Sequence, residues 1–433
     1  MPILERIYGL GVAALRPALP LLARGDGKLA RGVRGRRGVL ERMEAWAGEH
    51  RDPSRPLAWF HAPSVGEGHQ ARAVIQAFRA RRPDAQIAYT FFSPSAERFA
   101  ATVGADFTDY LPLDAARDVR RALDALRPGV IAFSKYDVWP VLTREAARRG
   151  VRLLLLSATL PASSGRLRGP SRALLAAAYG RLDAVGAISA EDAARFDRLG
   201  VPEGRRGVMG DARFDQVWQR AVSVDRGSEL LAPFAGVDAP ILVAGSTWPE
   251  DERNLLPAVR ALAAKGRAPR LLLVPHEPTP EHVRQAQRRM DELGLGWTMI
   301  GELRAGDANS VVLVDRVGVL GDLYAVADVA YVGGGFGSAG LHSVLEPAAF
   351  GIPVLFGPRH ANAREAGELV AAGGAFAVAS AEDTERVLAG LLDVYEVRTR
   401  AATKAREYVR ARLGAAERGA EMVERALETA SSR

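Results

Sequence analysis

Twice along the 433 residues, short apolar runs alternate with amphipathic segments, and this double alternation narrows the folds open to the chain. The first series has strand candidates at Leu57–His61, Gln86–Phe92, Thr108–Leu113, Val130–Ser134, Arg152–Ser157 and Ala184–Ser189. Helical segments such as Ala115–Leu126 and Val141–Arg149 fall between them, and Gly207–Asp215 reads as a last short strand with a loop. The second series has strands at Ile241–Gly245, Arg270–Pro275, Ser310–Val314, Val329–Val332 and Pro353–Phe356. Its helices are expected at Glu250–Lys265, Pro280–Leu293, His342–Phe350 and Glu382–Leu392, with one more from Val397 to Thr429. Strands that alternate with helices form parallel sheets covered on both faces. The chain is too long for one ordinary core, so each series is expected to build its own Rossmann-like α/β domain. The expected boundaries are 51–215 and 239–433, joined by a linker over 216–238 and preceded by a helical segment over 1–50.

Composition removes several function classes. There is no cysteine, which excludes disulfides, thiolate zinc sites and a cysteine nucleophile. The seven histidines lack the paired spacing of a metal site, so neither metal nor cofactor is expected. No Gly-x-Gly-x-x-Gly follows either first strand, which disfavours a dinucleotide oxidoreductase. A net charge of +7 suits nucleic acid, anionic lipid or a phosphorylated substrate, or a soluble enzyme that is simply basic. Helix-turn-helix, zinc-finger and aromatic RNA-binding patterns are missing, so nucleic acid ranks last. Lysine is nearly absent: Lys28, Lys135, Lys265 and Lys404 are the only four among 58 basic residues, so a lysine at a special position is informative.

The segment Ile3–Ala23 is apolar but broken by Glu5, Arg6, Arg16 and two prolines. A spanning helix needs about 20 mainly apolar residues, and no signal-peptide cleavage pattern follows. Behind it come Arg24, Lys28, Arg31, Arg34, Arg36 and Arg37. Two readings stand: a helix lying on an anionic membrane surface, or a helix packed on the protein itself.

Polar residues recur just after the strand ends, where open α/β sheets bind ligands. Glu67, in His61-Ala62-Pro63-Ser64-Val65-Gly66-Glu67, stands where a strand turns into a helix. Ser64 and Glu67 fit a capping box; Glu67 also fits a catalytic carboxylate at a ligand site. The segment from Tyr331 to Pro358 is the most specific in the chain. Gly333–Gly335 let backbone N–H groups approach a ligand, a helix start near His342–Ser343 suits a phosphate, and Glu346 suits ribose hydroxyls.

Together these motifs resemble the 3-deoxy-D-manno-octulosonic acid (Kdo) transferase family. The resemblance rests on residues 61–67, Phe92–Ser95, Asp137–Pro140, Gly210–Asp215, Gly245–Thr247, Val274–His276, Val317–Leu320 and the Gly-rich segment through Leu345-Glu346-Pro347. It implies a GT-B architecture, two Rossmann-like domains facing each other across a cleft. It also implies inverting, metal-independent transfer of Kdo from CMP-Kdo to a lipid A precursor, at the cytoplasmic face of the bacterial inner membrane. By the same resemblance Glu67 is the general base, and Arg213 stands where the family has a lysine that stabilises the transition state. Donor contacts fall on Pro275, His276, Val317, Gly318, Val319, Ser343, Val344, Leu345 and Glu346. The alternatives are a GT-B transferase with another nucleotide sugar or acceptor, and a non-catalytic protein on the same fold.

This chain departs from the family pattern at several points. Glu-x-Glu is replaced by Lys135-Tyr136-Asp137, Ser-Thr-His by Ser246-Thr247-Trp248, Pro-Arg-His by Pro275-His276-Glu277, and Gly-His-Asn by Leu341-His342-Ser343. Lys135 reverses a local charge and becomes a site candidate in its own right. It suits a pairing with Glu67 or Asp137, a contact to a sugar carboxylate or phosphate, or a buried structural ion pair.

Overall fold

A computed structural model describes residues 2–304 and 310–431. Two seven-stranded, all-parallel sheets organise the chain. The first sheet is ordered β3-β2-β1-β4-β5-β6-β7. Its strands are β1 (Leu57–His61), β2 (Gln86–Phe91), β3 (Phe107–Tyr110), β4 (Val130–Ser134), β5 (Arg152–Ala158), β6 (Ala184–Ala187) and β7 (Arg206–Val208). The second sheet is ordered β10-β11-β9-β8-β12-β13-β14. It contains β8 (Ile241–Thr247), β9 (Arg270–Pro275), β10 (Trp297–Met299), β11 (Val311–Leu313), β12 (Val329–Val332), β13 (Val354–Phe356) and β14 (Ala375–Ala377). Strands β1, β2 and β4 are buried along their whole length, as parallel strands with helices on both faces must be.

Each sheet has one place where the strand order reverses, and open α/β sheets bind ligands at the carboxyl edge there. In the first sheet it lies between β1 and β4, paired from Ala58↔Val130 to His61↔Phe133. In the second it lies between β8 and β12, paired from Leu242↔Val329 to Gly245↔Val332. The helix Val65–Arg81 leaves β1 and buries Ala71, Val74, Ile75 and Phe78, an i, i+3, i+4, i+7 stripe. Glu67 lies buried in the first turn of the same helix.

The unit boundaries differ from those expected. The first unit comprises the chain up to Gln216 together with the residues from Arg412 onward; the second runs from Val217 to Ala411. Residues 1–50 are part of the first unit: Val39, Leu40 and Met43 enter its core, and Arg42 pairs with Asp109 at 2.7 Å. The helix Ala212–Ser223 takes in the first third of the expected linker. The single C-terminal helix is two helices, Tyr395–Arg410 and Ala415–Ser431. They separate near Gly414, at φ +92°, where the Asp215 carboxylate accepts the N–H groups of Gly414 and Ala416. The last helix therefore belongs to the first unit, where Glu424 pairs with Arg81 at 2.6 Å. Periodicity alone could not reveal this transfer, because both helices carry the same amphipathic spacing. The edge strands β10 and β14, three residues each, were too short to stand out as strands.

Candidate active site

The capping reading of Glu67 does not survive. Ser64 is the N-cap residue, with extended φ −143° and ψ 178°, but its side chain bonds no backbone N–H. The Ser64 hydroxyl instead donates to Glu67 Oε2, and the Lys135 ammonium donates to Glu67 Oε1 at 2.9 Å. Glu67 is only 9% exposed. Burial pushes its carboxyl up, but the Ser64 hydroxyl and the Lys135 ammonium outweigh burial and hold the group below the ordinary carboxylate range.

Lys135 reaches Glu67 because its backbone is left-handed, at φ +66°, just past the end of β4. The conformation is locked on both sides: its N–H donates to Leu156 and its carbonyl accepts from Thr159. A lysine held at positive φ by its neighbours stores backbone strain at the reversal point of the sheet. Asp137, two residues on, is not Lys135's partner. It accepts from His61 Nε2 at 3.1 Å and from Trp139 Nε1 at 3.0 Å. Burial pushes the Asp137 carboxyl up, but the His61 and Trp139 hydrogen bonds and the nearby Arg166 charge together outweigh it and hold the group below the ordinary carboxylate range. The other ring nitrogen of His61, Nδ1, lies 3.0 Å from the Thr90 hydroxyl, which also accepts from Trp59 Nε1.

A cavity of about 1000 Å³ opens beside Glu67. Ser64, Glu67, Ser93 and Asp137 give it polar groups; Leu15, Leu19, Leu22, Leu29 and Val33 of the N-terminal helices give it apolar ones. Arg36 also lines it, stacked 4.0 Å over the Phe92 ring; burial lowers its guanidinium to about 10, still charged at neutral pH. Arg213 touches neither Glu67 nor Lys135. Its guanidinium is bound to the buried Asp211 at 2.7 Å, and Asp211 accepts from Gln70, one turn beyond Glu67 on the same helix. Asp211 and Gln70 were missed in the sequence, where nothing links positions 141 residues apart.

In the second unit the expected donor residues form two groups. Pro275 ends β9 beside Thr247, and His276 stacks on His342 with ring centroids 4.1 Å apart. Trp248 completes this stack, 5.1 Å from His276, and donates its indole N–H to His342 Nε2 at 3.1 Å. Burial and the neighbouring His276 push His342 down to about 4, so its imidazole is neutral at physiological pH. The other group contains Val317–Val319 and Glu346. Val317 is 75% exposed, and Gly318 is left-handed at φ +87°. Arg220 joins this loop to Glu346: it bonds the Gly318 carbonyl at 3.4 Å and Asp322 at 3.2 Å. Burial raises the Glu346 carboxyl, and Arg220 opposes that rise. Ser343, Val344 and Leu345 lead into Glu346, and the helix there starts only at Leu345.

The Gly-rich loop serves packing more than the expected N–H cradle. The N–H of Gly333 goes to Gly245, and those of Gly334 and Phe336 go to the Asp251 carboxylate. A methyl group on Gly333 would overlap the Ser246 carbonyl oxygen, and one on Gly335 would sit 2.5 Å from the Gly357 nitrogen. Among the described residues, no group of three or more His, Asp or Glu side chains could hold a metal ion.

The profile described as 3-Deoxy-D-manno-octulosonic-acid transferase (kdotransferase) matches residues 34–216. A 3-deoxy-D-manno-octulosonic acid transferase of Bordetella pertussis is 32% identical over 335 residues, covering 74% of this chain and 76% of its own. The chain belongs to the Kdo transferase family. The transferase of the same description from Haemophilus influenzae is 29% identical over 86% of this chain and 87% of its own. Among solved structures, UDP-GlcNAc 2-epimerase from Neisseria meningitidis bound to UDP-GlcNAc shares the fold at TM-score 0.60 and 14% identity, over 87% of this chain and all of that one. A glycosyltransferase from Rickettsia africae does so at TM-score 0.57 and 13% identity, over 86% and 98%.

This Kdo transferase is a glycosyltransferase, and two of its departures from the family pattern, Trp248 and His276, lie against a histidine that the pattern keeps, His342. Trp248, His276 and His342 come from three separate motifs and meet in one stack. Arg220 is the principal residue the sequence did not reveal, since it lies in the stretch expected to be linker. Gly321 makes room for it: any side chain there would overlap the Arg220 guanidinium.

Proposed function

We propose that this transferase moves Kdo from CMP-Kdo to a hydroxyl of a lipid A precursor, with inversion and without a metal. The observation that carries the reading is the ionised Glu67 carboxylate, paired with Lys135, at the wall of a half-apolar cavity. The acceptor hydroxyl gives its proton to Glu67 as its oxygen attacks the anomeric carbon of Kdo. The bond to the CMP oxygen breaks on the opposite face, so the configuration inverts. The cavity's leucines suit acyl chains, and Arg36 suits the acceptor's anionic groups.

Lys135 positions and polarises the base. Arg213 acts on the developing charge by way of the Gln70–Asp211 contacts beside Glu67's helix. The donor occupies the second unit, with the nucleotide near the Trp248–His276–His342 stack and the Pro275, Val317–Val319 and Ser343–Glu346 segments. The N-terminal helices lie on an anionic membrane surface. Leu4, Ile7, Leu10, Leu21 and Leu29 are exposed there among arginines, and no described helix is long and apolar enough to cross a membrane.

The test is a single-turnover assay with CMP-Kdo and lipid IVA. The Glu67→Gln variant should lose about 10²–10⁴-fold in rate while CMP still protects it from thermal unfolding. Full activity in this variant would remove Glu67 from the mechanism. The altered stack motivates a second reading, a different nucleotide donor; protection by UDP or GDP in place of CMP would favour it.

A further inference from the structure

An arginine-lined cavity of about 940 Å³ lies in the first unit, bordered by the helices Pro2–Ala14, Ala116–Leu126 and Pro140–Ala147. Apart from Arg16, its lining residues are not those of the Glu67 cavity. Seven guanidiniums line it, and the carboxylates that pair with them are Glu5, Asp118 and Glu145. Glu145 alone serves Arg120, Arg144 and Arg148. Arg6 and Arg117 have no hydrogen-bond or ion-pair partner among the described residues. The cations thus outnumber the local anions, and several N–H donors remain unused. Ala115 and Ala116 also line the cavity, where the helix Ala116–Leu126 begins without a side-chain cap. Guanidiniums in this number match a phosphate, whose oxygens accept paired N–H bonds.

The rim identifies the kind of phosphate. The helix Pro2–Ala14 is docked by its inner face: Glu5, 1% exposed, accepts two bonds from Arg181 at 2.5 and 2.9 Å, and Tyr8 bonds Asp114. The same helix leaves Ile7 59% and Leu10 71% exposed, and Leu10 itself lines the cavity. A phosphate ester that carries an apolar tail uses both features, whereas free phosphate uses only the arginines.

We propose that this cavity binds the phosphodiester headgroup of an anionic membrane lipid, with the acyl part against Ile7 and Leu10. The proposal rests on the membrane-surface reading above and deepens it, from diffuse attraction to one discrete site away from Glu67. Full-length protein is tested for cosedimentation with phosphatidylcholine vesicles, with and without phosphatidylglycerol, at about 0.15 M salt. Wild type binds only the anionic vesicles. Arg6→Ala/Arg117→Ala binds them about thirtyfold more weakly, the factor for two basic residues at about 1 kcal/mol each. Both side chains are exposed and unpartnered, so the fold does not depend on them. The control Arg284→Ala/Arg288→Ala, in the second unit, binds like wild type. Equal losses in the two double variants, or no loss in the first, overturn the discrete site while leaving the membrane reading intact. Failure of wild type to bind anionic vesicles overturns both. Displacement of wild type by inorganic phosphate at matched ionic strength assigns the cavity to free phosphate and overturns the lipid.

Discussion

Removing the Lys135 ammonium probes the pair on which the proposed chemistry depends. At 2.9 Å the attraction between Lys135 and Glu67 is about 6 kcal/mol gross for an effective dielectric constant near 20. A third of the lysine side chain still meets water, at 33% exposure, and both groups lose hydration on folding. The net coupling is therefore about 1–2 kcal/mol. A double-mutant cycle of Lys135→Met and Glu67→Gln, read by urea unfolding at pH 7, should return that value. The pH dependence follows from the sign of the shift. The folded Glu67 carboxyl lies below its unfolded value, so the unfolded chain takes up the proton first. The pair's stabilisation is fully present above the ordinary carboxylate pKa and is lost as pH falls through the folded value. The coupling should thus shrink on acidification from pH 7 to about 3. In Lys135→Met alone, burial acts on Glu67 with less opposition, and the acid limb of the pH–rate profile moves to higher pH. A coupling below about 0.3 kcal/mol at pH 7, or one that ignores acidification, would refute the pairing argument.

Three further outcomes test the second unit. Arg220→Ala leaves Glu346 without its nearby cation and should weaken CMP binding about tenfold by calorimetry; unchanged affinity would remove Arg220 from the donor site. Gly333→Ala forces a methyl group onto the Ser246 carbonyl and should cost about 3 kcal/mol, read as a lower urea midpoint. His342, at about 4 in the folded protein, lies below its unfolded value of about 6.5. Its contribution to stability is present above pH 6.5 or so and is lost as pH falls toward 4, so His342→Gln should flatten the melting temperature across that window.

The Gly-rich loop carries a general point about glycine. Gly333–Gly335 were expected to offer N–H groups to a ligand, yet the described N–H bonds of Gly333, Gly334 and Phe336 run to Gly245 and Asp251. The same composition serves close backbone packing and ligand approach equally well. Only the neighbours, here Ser246 and Gly357, tell the two apart.

Local patterning was enough to call two parallel sheets, since apolar runs spaced by amphipathic helices admit little else, and the observed β1, β4, β9 and β12 coincide with their expected ranges. It also located Glu67 and Glu346 near strand ends, because motif order is a one-dimensional property. Tertiary structure decided whatever depends on residues distant in the chain. Glu67 and Lys135 are 68 positions apart and become partners only through β1–β4 pairing and the left-handed Lys135. Arg220 reaches Gly318 across 98 positions, and two family departures, Trp248 and His276, join His342 in one aromatic stack. The last helix joins the first unit through Asp215 and Arg81, against its place in the sequence. Periodicity reports which face of an element is buried. It is silent about which partner buries it, and a charge acquires its role from that partner.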